Sequence, residues 1–259
     1  MATTATRGSA VTRGSALRVL LFTELKLYLR EGYAPVVSLV LPLLLLIIFG
    51  FIPTFKNPNS SLGGYSVLDT YIPVLIVLSL SLVSLSIMPG VLGSYREKGV
   101  LRRLQTTPVG PARVLAAQLV INLCSAVLVT IMILVVASVA FSVAWPQQFA
   151  GFAVATLLTA VALICIGLFV AAVAPTGRSA QIIGGVSFYP LMFFAGLWYP
   201  LPLMPSVLRG ICYATPLGAS VQALDDAGGG VWPHPLQLLT LAAYAVVFGA
   251  AAARFFRWE

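Results

Sequence analysis

Long apolar segments alternate with short polar ones along the whole chain. Six apolar segments have about the 20 residues that a helix needs to cross a bilayer. They span, approximately, residues 34–52, 70–94, 114–142, 149–173, 179–199 and 236–254. The pattern predicts an all-α polytopic membrane protein with six transmembrane helices.

The composition agrees with a membrane protein and leaves little room for anything else. Of the 259 residues, 59% are hydrophobic and only 8% are charged, against about 25% charged in soluble domains. Residues 1–16 have no apolar core and are predicted to be a disordered cytosolic tail, so the transmembrane domain covers 17–259. The three cysteines are scattered without metal-ligand spacing, and we predict no metal site and no disulfide framework.

Basic residues lie almost entirely on one side of the predicted membrane domain. Thirteen of the fifteen lysines and arginines fall in the N-terminal segment, the loops after spans 2 and 4, and the C-terminus. The opposite loops contain only Lys56 and Arg209. The positive-inside rule then predicts a multi-pass protein of the cell membrane with both termini in the cytoplasm. Because the cations follow the loops of one side, nucleic acid is not a predicted partner.

Residues 17–31 have the pattern of an amphipathic helix lying on the membrane surface. One arc of the helix carries Leu17, Leu20, Leu21, Leu25 and Tyr28. The opposite arc carries Thr23, Lys26 and Arg30. Glu24 and Glu31 fall on one stripe at the edge of the apolar arc. They either face a partner protein or pair locally.

The run Tyr95–Pro108 is a charged island between two spans. Its charged side chains are Arg96, Glu97, Lys98, Arg102 and Arg103. Val100, Leu101 and Leu104 form a small apolar face on a predicted short helix that Thr107-Pro108 ends. The island is predicted to dock a cytosolic partner. The alternative is an ordinary basic loop that binds anionic lipid headgroups.

Two sets of side chains inside the spans are candidates for a substrate path. Ser79 and Ser86, seven residues apart on one predicted helix face, either pack helices together or line a hydrated path. The following Met88-Pro89-Gly90 predicts a kink. Span 5 offers four aromatic rings that either stack on an apolar ligand or pack and face lipid. These are Phe188, Tyr189, Phe193 and Phe194.

The segment 200–235 is too hydrophobic for a solvated loop and is broken too often by proline for a span. It predicts a half-inserted helical hairpin on the outer side of the membrane.

Several function classes are disfavoured by the motifs that the chain lacks. It has no phosphate-binding loop, so ATP hydrolysis would require a separate chain. It has no His-Glu-x-x-His motif and no paired acids within a span, and no catalytic residues are predicted. The spans carry ionisable residues only at their edges, which disfavours an ion-coupled secondary transporter.

Three stretches resemble the ABC-2 class of ABC-exporter permeases, most closely the daunorubicin-resistance-type drug and lipid permeases. They are Arg96-Glu-Lys-Gly-Val-Leu-Arg-Arg-Leu-Gln-Thr-Thr-Pro108, Thr176-Gly-Arg-Ser-Ala-Gln181, and the run from Gly196 to Leu224. They occur in the family order, and the similarity covers roughly residues 17–226. Many relatives have threonine at the position of Val100, so the side-chain hydrogen bond of that threonine is not expected here.

The resemblance implies a specific architecture. It implies six spans per subunit, an elbow helix at 17–31, a coupling helix at Glu97–Leu104 that docks onto an ATPase, and a re-entrant hairpin at about 201–222. The residues implied in ATPase coupling are Arg96, Glu97, Gly99, Val100, Leu101, Arg102, Arg103 and Leu104, with Glu24 and Glu31 of the elbow.

The resemblance also implies a function as the membrane subunit of an ATP-driven exporter. This chain would bind no cofactor, and ATP and Mg²⁺ would bind on partner ATPase subunits. A second copy or a related permease would complete the path, with membrane lipid around it. The expected cargo is amphipathic or hydrophobic, such as a drug, a polyketide or a lipid. Export of a polysaccharide or glycolipid is the alternative, ahead of an ion-coupled secondary transporter.

Overall fold

The computed structural model describes residues 33–58, 64–100, 103 and 111–255. These residues form helices and no β-strand. The α-helices in chain order are α1 Tyr33–Phe51, α2 Pro53–Lys56, α3 Val67–Ser81, α4 Met88–Glu97, α5 Pro111–Phe141, α6 Phe149–Val173, α7 Gly177–Phe194, α8 Ser206–Ala214, α9 Pro216–Gly228 and α10 Pro235–Phe255. A π-helical segment, Leu82–Ile87, joins α3 to α4, and Leu201–Leu203 form a 3-10 helix.

Four helical stretches of the described chain are long and apolar enough to cross a membrane. They are Val67–Glu97, Ala116–Phe141, Phe149–Val173 and Pro235–Phe255. This confirms the all-helical fold over the described residues, with four candidate membrane spans. The other two predicted spans are also helices, α1 with 19 residues and α7 with 18, but they are not among the four. Crossing of the membrane by α1 and α7 stays a prediction.

Helix α3 forms the centre of the bundle. Its consecutive residues Leu75, Ile76 and Val77 are fully buried, which shows that neighbours surround the helix on every side. Helices α1, α5 and α9 pack against α3, and α6 packs chiefly against α10.

Helices α3 and α4 join into one long stretch that runs parallel to α6. Arg96 at the end of α4 contacts Ala171 and Ala174 at the end of α6. Asp69 at the start of α3 lines one cavity with Phe152 at the start of α6. The bundle therefore has two ends. We call them the Glu97 end and the Asp225 end.

The segment between α7 and α10 folds as a helical hairpin, α8 followed by α9. The chain breaks at Thr215-Pro216, where the Thr215 hydroxyl accepts a hydrogen bond from the Gly218 N–H (3.1 Å) and donates one to the Cys212 carbonyl (2.7 Å). Most residues of α9 are buried against α3, α6 and α10. Two helices thus occupy this segment, and the second belongs to the protein core. A re-entrant hairpin that is half-inserted in the membrane stays a prediction.

The predicted disturbance at Met88-Pro89-Gly90 takes the form of a change in helix type. The Met88 N–H donates to the carbonyl of Val83, five residues earlier, which is the π-helical pattern. Pro89 has no N–H to continue either pattern. An N–H at position 89 would donate to the Ser84 carbonyl in a π-helix and to the Leu85 carbonyl in an α-helix. Because Pro89 has no N–H, neither carbonyl accepts a hydrogen bond from it.

Candidate functional site

The charged island begins inside helix α4 and continues past its end. Glu97 is the last residue of α4, and Gly99 follows with a left-handed φ of 66°. The Gly99 N–H donates to the Arg96 carbonyl (3.0 Å), and the Arg103 N–H donates to the Gly99 carbonyl (3.1 Å). The predicted separate helix starting at Glu97 is corrected accordingly: the helix ends there, and a new helical turn begins after Gly99, where glycine tolerates the positive φ.

Val100 is half-buried and Arg103 is exposed. The other residues assigned to ATPase coupling lie outside the described part of the chain. These are Glu24, Glu31, Leu101, Arg102 and Leu104. The elbow helix predicted at 17–31 lies outside it as well.

Arg96 points back into the protein, toward the C-terminal end of α6. Its guanidinium donates hydrogen bonds to the carbonyls of Ala171 (3.3 Å) and Ala172 (3.2 Å), and to that of Ala174. Carbonyls in the last turn of a helix have no partner within the helix. A cation at that position also interacts favourably with the helix dipole. The Arg96 side chain therefore caps α6.

Glu97 points toward the N-terminal end of α7, where its carboxylate accepts a hydrogen bond from the Gly177 N–H (3.2 Å). The next amides are satisfied locally, because Thr176 and Ser179 form a reciprocal capping box. The charge of Glu97 suits the positive end of the α7 dipole. Two adjacent side chains of α4 thus hold both sides of the short turn between α6 and α7.

Helices α4 and α7 are in backbone contact beside this pair. A Cβ atom on Gly93 would lie 2.7 Å from the Gly177 Cα, and a Cβ on Gly177 would lie 2.8 Å from the Ser94 nitrogen. No side chain larger than glycine fits at either position without a shift. The two helices and the turn consequently form a closely packed unit at the Glu97 end.

The two candidate path serines have different surroundings. Ser79 is buried, and its hydroxyl donates to the Ser38 carbonyl of α1 (2.5 Å), so it joins two helices. Ser86 is half-buried within the π segment. The seven-residue spacing placed both on one face of an α-helix, but the π-helical turns between them change that angular relation.

The four aromatic side chains of α7 do not form one surface. Phe188 is buried, whereas Tyr189 is 64% exposed and Phe193 is 37% exposed. The rings meet edge to face in two neighbouring pairs, Phe188 with Tyr189 and Phe193 with Phe194, each at 5.6 Å between centroids. Tyr189 and Phe193 therefore point out of the subunit, and Phe188 points into it.

A cavity of about 330 Å³ opens at the Asp225 end. Its walls are partly polar and partly apolar. The polar side chains are Lys56, Tyr65, Ser66, Asp69, Ser142, Gln147 and Asp225, and the apolar ones include Leu134, Phe141, Phe152 and Leu224. The Lys56 ammonium lies 5.2 Å from the centre of the Phe141 ring, close enough for a cation–π interaction. A second, smaller cavity of about 50 Å³ also reaches Asp225.

Asp225 is the acid between these two cavities. Its carboxylate has no hydrogen-bond partner among the described residues, whereas Asp226 accepts a hydrogen bond from the Gln237 amide (2.6 Å). Loss of hydration raises the pKa of Asp225 to about 6, and the nearby charges of Asp226 and Asp69 act in the same direction. Asp69 itself forms a capping box with Ser66 at the start of α3.

The sequence pattern does not predict this cavity. One signal was available, because two of the chain's seven acidic residues stand side by side in the predicted hairpin. Among the described residues, no group of three His, Cys, Asp or Glu side chains could hold a metal ion. The cavity walls offer charge and apolar surface, without a metal-ligand set.

The family of the chain follows from its sequence match. The sequence profile of the ABC-2 type transporter family covers residues 15–227, well over half of the 259. A search of the curated proteins gives no match. The matched region includes α1 through α8 and all but the last residue of α9, and with them the α4–α7 contact and most of the cavity wall. The chain belongs to the ABC-2 type transporter family.

Proposed function

We propose that this ABC-2 permease is the membrane subunit of an ATP-driven exporter of the daunorubicin-resistance type. Separate ATPase subunits bind ATP and Mg²⁺ and drive it, and a second copy or a related permease completes the path. Each subunit crosses the cell membrane six times, with α1 and α7 as spans 1 and 5. Both chain termini lie in the cytoplasm.

The observation that supports an external energy source is the absence of charge within the described spans. The four long stretches carry ionisable side chains only in their terminal turns, namely Asp69, Arg96, Glu97 and Arg254. Ion-coupled carriers usually place ionisable groups at membrane depth, because those groups bind the coupling ion. Energy is therefore expected to enter at an end of the bundle, and the basic Glu97 end suits a cytosolic ATPase.

The surface proposed to meet the ATPase lies beyond the end of α4. It comprises Lys98, Gly99, Val100 and Arg103 of the described chain, together with the island residues 101–104 and the elbow acids Glu24 and Glu31. Lys98 and Arg103 are exposed there, and Val100 adds apolar surface. A partly apolar surface with a basic rim has the composition of a protein interface.

The proposed cargo is amphipathic or hydrophobic, such as a drug, a polyketide or a lipid. Helix α7 exposes Ile182, Val186 and Tyr189, and no charged residue follows Arg178 in that helix. A path between two subunits along this helix would be apolar and aromatic. Such a path suits cargo that partitions into the membrane, and it lacks the many hydrogen-bonding groups that a sugar chain would need.

The test is reconstitution. The chain is co-expressed with the ATPase encoded beside it, and the purified complex is placed in proteoliposomes with a rhodamine dye, a fluorescent-tailed phosphatidylethanolamine or a lipid-linked trisaccharide. We expect co-purification, and ATP-dependent movement of the dye or the phospholipid. An ATPase lacking its phosphate-loop lysine is the control for dependence on hydrolysis.

The outcomes separate the candidate functions. Movement of the trisaccharide alone would support polysaccharide or glycolipid export. Dye movement driven by a proton gradient without ATP would support an ion-coupled carrier. Failure of the permease to form any complex with the ATPase would contradict the exporter proposal.

A further inference from the structure

We infer that Arg96 and Glu97 are positioning residues that couple the first cytosolic loop to span 5 inside the permease, rather than contacts to the ATPase. The inference rests on the proposed function for its direction of force. Its geometry rests only on contacts within this chain. We call the pair, with the turn that it holds, the α4 clamp: Arg96, Glu97 and residues 171–177.

The Arg96 and Glu97 side chains are directed back into the permease. Both polar ends are engaged with the backbone of the α6–α7 turn, since Arg96 reaches three carbonyls and Glu97 reaches the Gly177 N–H. A guanidinium has five N–H donors in a fixed planar arrangement and can serve several acceptors at once. The fold therefore already uses the Arg96 guanidinium and one oxygen of the Glu97 carboxylate to hold this turn.

The charges of Arg96 and Glu97 match the helix ends that they contact. The cation lies at the C-terminal end of α6 and the anion at the N-terminal end of α7, so each interacts favourably with the helix dipole that it meets. Hydrogen bonds with one charged partner are also stronger than neutral ones. Arg96 therefore meets the negative end of the α6 dipole, and Glu97 meets the positive end of the α7 dipole. If the two residues were exchanged, each charge would meet a helix end of its own sign.

The contact between α4 and α7 is stiff. At Gly93 and Gly177 the backbones of α4 and α7 meet directly, and the Cβ of an alanine at position 177 would lie 2.9 Å from the Gly90 carbonyl. Displacement of the end of α4 is consequently passed to the start of α7 without being absorbed on the way.

Helix α4 can turn at the π segment that precedes it. The π segment 82–87 separates α4 from the buried α3, and isolated π turns are common at functional sites in helices. Gly167 of α6 and Gly184 of α7 contact the π segment at the carbonyls of Ser84 and Leu85. The three helices thus cross at one level, with the clamp on the cytosolic side of it.

Together these contacts make a lever. Force applied by an ATPase at Lys98–Arg103 reaches the turn 174–177 through the clamp and rotates the start of span 5 about the level of the π segment. Span 5 carries the exposed rings Tyr189 and Phe193. The ATPase then needs to grip only the loop after Gly99, and the α6–α7 turn moves with it.

The clamp is tested first in the permease alone, by hydrogen exchange in lipid nanodiscs. Glu97→Ala removes the acceptor for the Gly177 N–H, and we expect the peptide covering 175–181 to exchange about tenfold faster, the usual effect of losing one charge-assisted hydrogen bond. Glu97→Gln keeps an acceptor oxygen and should restore most of the protection. Lys98→Ala changes the charge of the same loop at an exposed neighbouring residue and should leave the peptide unchanged.

The coupling is tested in the assembled complex with two reporter positions. In a background without the three native cysteines, a fluorophore is placed at Lys98→Cys or at Arg178→Cys, and emission is followed on addition of ATP. We expect ATP to change both signals in the parent. With Glu97→Ala, the signal at 98 should persist, the signal at 178 should fall at least threefold, and ATP hydrolysis should continue while transport is lost.

The outcomes distinguish the clamp from its alternatives. If Glu97→Ala abolishes co-purification with the ATPase and leaves exchange at 175–181 unchanged, Glu97 is an ATPase contact and the inference is overturned. Unchanged signals at both reporters in Glu97→Ala would also overturn it. If the parent permease binds no ATPase, the proposed function fails, and the exchange experiment still decides whether the clamp exists.

Discussion

Two neighbouring aspartates show how strongly local partners determine what a charge does to the fold. Asp226 accepts a hydrogen bond from Gln237, whose side chain is buried. Asp225, one residue earlier, has no such donor and faces both cavities. Identical side chains therefore have opposite effects on stability at neutral pH: ionised Asp226 satisfies a buried amide, whereas ionised Asp225 loses hydration and is also repelled by Asp226 and Asp69.

We predict that Asp225→Asn raises the melting temperature of the permease at pH 7.5 and has no effect near pH 3. The folded-state pKa of Asp225, about 6, lies above its ordinary value of 3.8. The folded protein therefore binds this proton more tightly than the unfolded chain does. The destabilisation develops as pH rises from about 4 to about 6 and is complete above pH 6. Scanning fluorimetry of the purified permease across this range measures the effect.

The matched control for this prediction is Asp226→Ala, which leaves the buried Gln237 amide without its acceptor. We expect it to lower the melting temperature at pH 7.5, since an unsatisfied buried donor costs about 1–3 kcal/mol. Equal shifts of the same sign in both variants would mean that net negative charge at this end determines stability, and that the hydrogen bond to Asp226 does not.

Among the elements, the π segment is the one whose packing depends most on small residues. Gly167 of α6 and Gly184 of α7 both approach it, and a Cβ on either would lie within 2 Å of a carbonyl oxygen of the segment. The oxygens in question belong to Ser84 and Leu85, which gain no hydrogen bond from Pro89. The Cα–H groups of the two glycines can approach these carbonyl oxygens closely, and such contacts are weakly favourable.

We predict that Gly184→Ala destabilises the permease by about 1–3 kcal/mol, the usual cost of forcing an extra carbon into a packed contact. Gly185→Ala is the matched control, because nothing lies within 4 Å of the Cβ that it would add. That variant should be neutral or slightly stabilising, since alanine favours a helix over glycine. Melting temperatures of the two variants against the parent measure the difference. A similar shift in both would show that α7 does not touch the π segment as described.

Sequence pattern predicts the helices well where hydrophobic length or a proline marks them. The predicted span 149–173 matches α6 at both ends, and the break at Thr215-Pro216 falls where the pattern of prolines placed the hairpin. The π segment is not visible in that pattern, because its residues are as apolar as their neighbours. Pro89 predicts only that the backbone changes nearby.

The α4 clamp could not be predicted from sequence for a different reason. Glu97 and Gly177 are 80 residues apart, and their contact depends on how α6 and α7 approach α4 in three dimensions. Taken alone, an Arg-Glu pair after a span equally predicts a docking surface. The small residues Gly93 and Gly177 hint at close helix packing, but the sequence does not say which helices meet.

Over the whole molecule, the two ends of the bundle differ in charge. The described residues at the Asp225 end include Asp69, Asp225 and Asp226, whereas the Glu97 end carries Lys98, Arg103 and Arg178 among its cations. The asymmetry extends to the full sequence, where thirteen of fifteen basic residues fall on the predicted cytosolic side. Loop charge of this kind sets the orientation of a membrane protein.

We predict that Lys98 and Arg178 face the cytoplasm and Val231 faces the exterior. Single cysteines at these positions, in a background without the three native cysteines, are treated on intact cells with a membrane-impermeant maleimide. Only Val231→Cys, in an exposed loop, should react before the membrane is permeabilised, and all three should react afterwards.

This labelling also decides whether α7 crosses the membrane. The length of the helix, 18 residues, does not decide it. Arg178 precedes α7, and Val231 follows both α7 and the hairpin α8–α9. If the hairpin returns to the side that it entered from, the two positions lie on opposite sides only when α7 spans the bilayer. Reaction of both cysteines only after permeabilisation would make α7 a non-spanning helix. The proposed lever would then have no transmembrane element to move, even if the α4 clamp itself were intact.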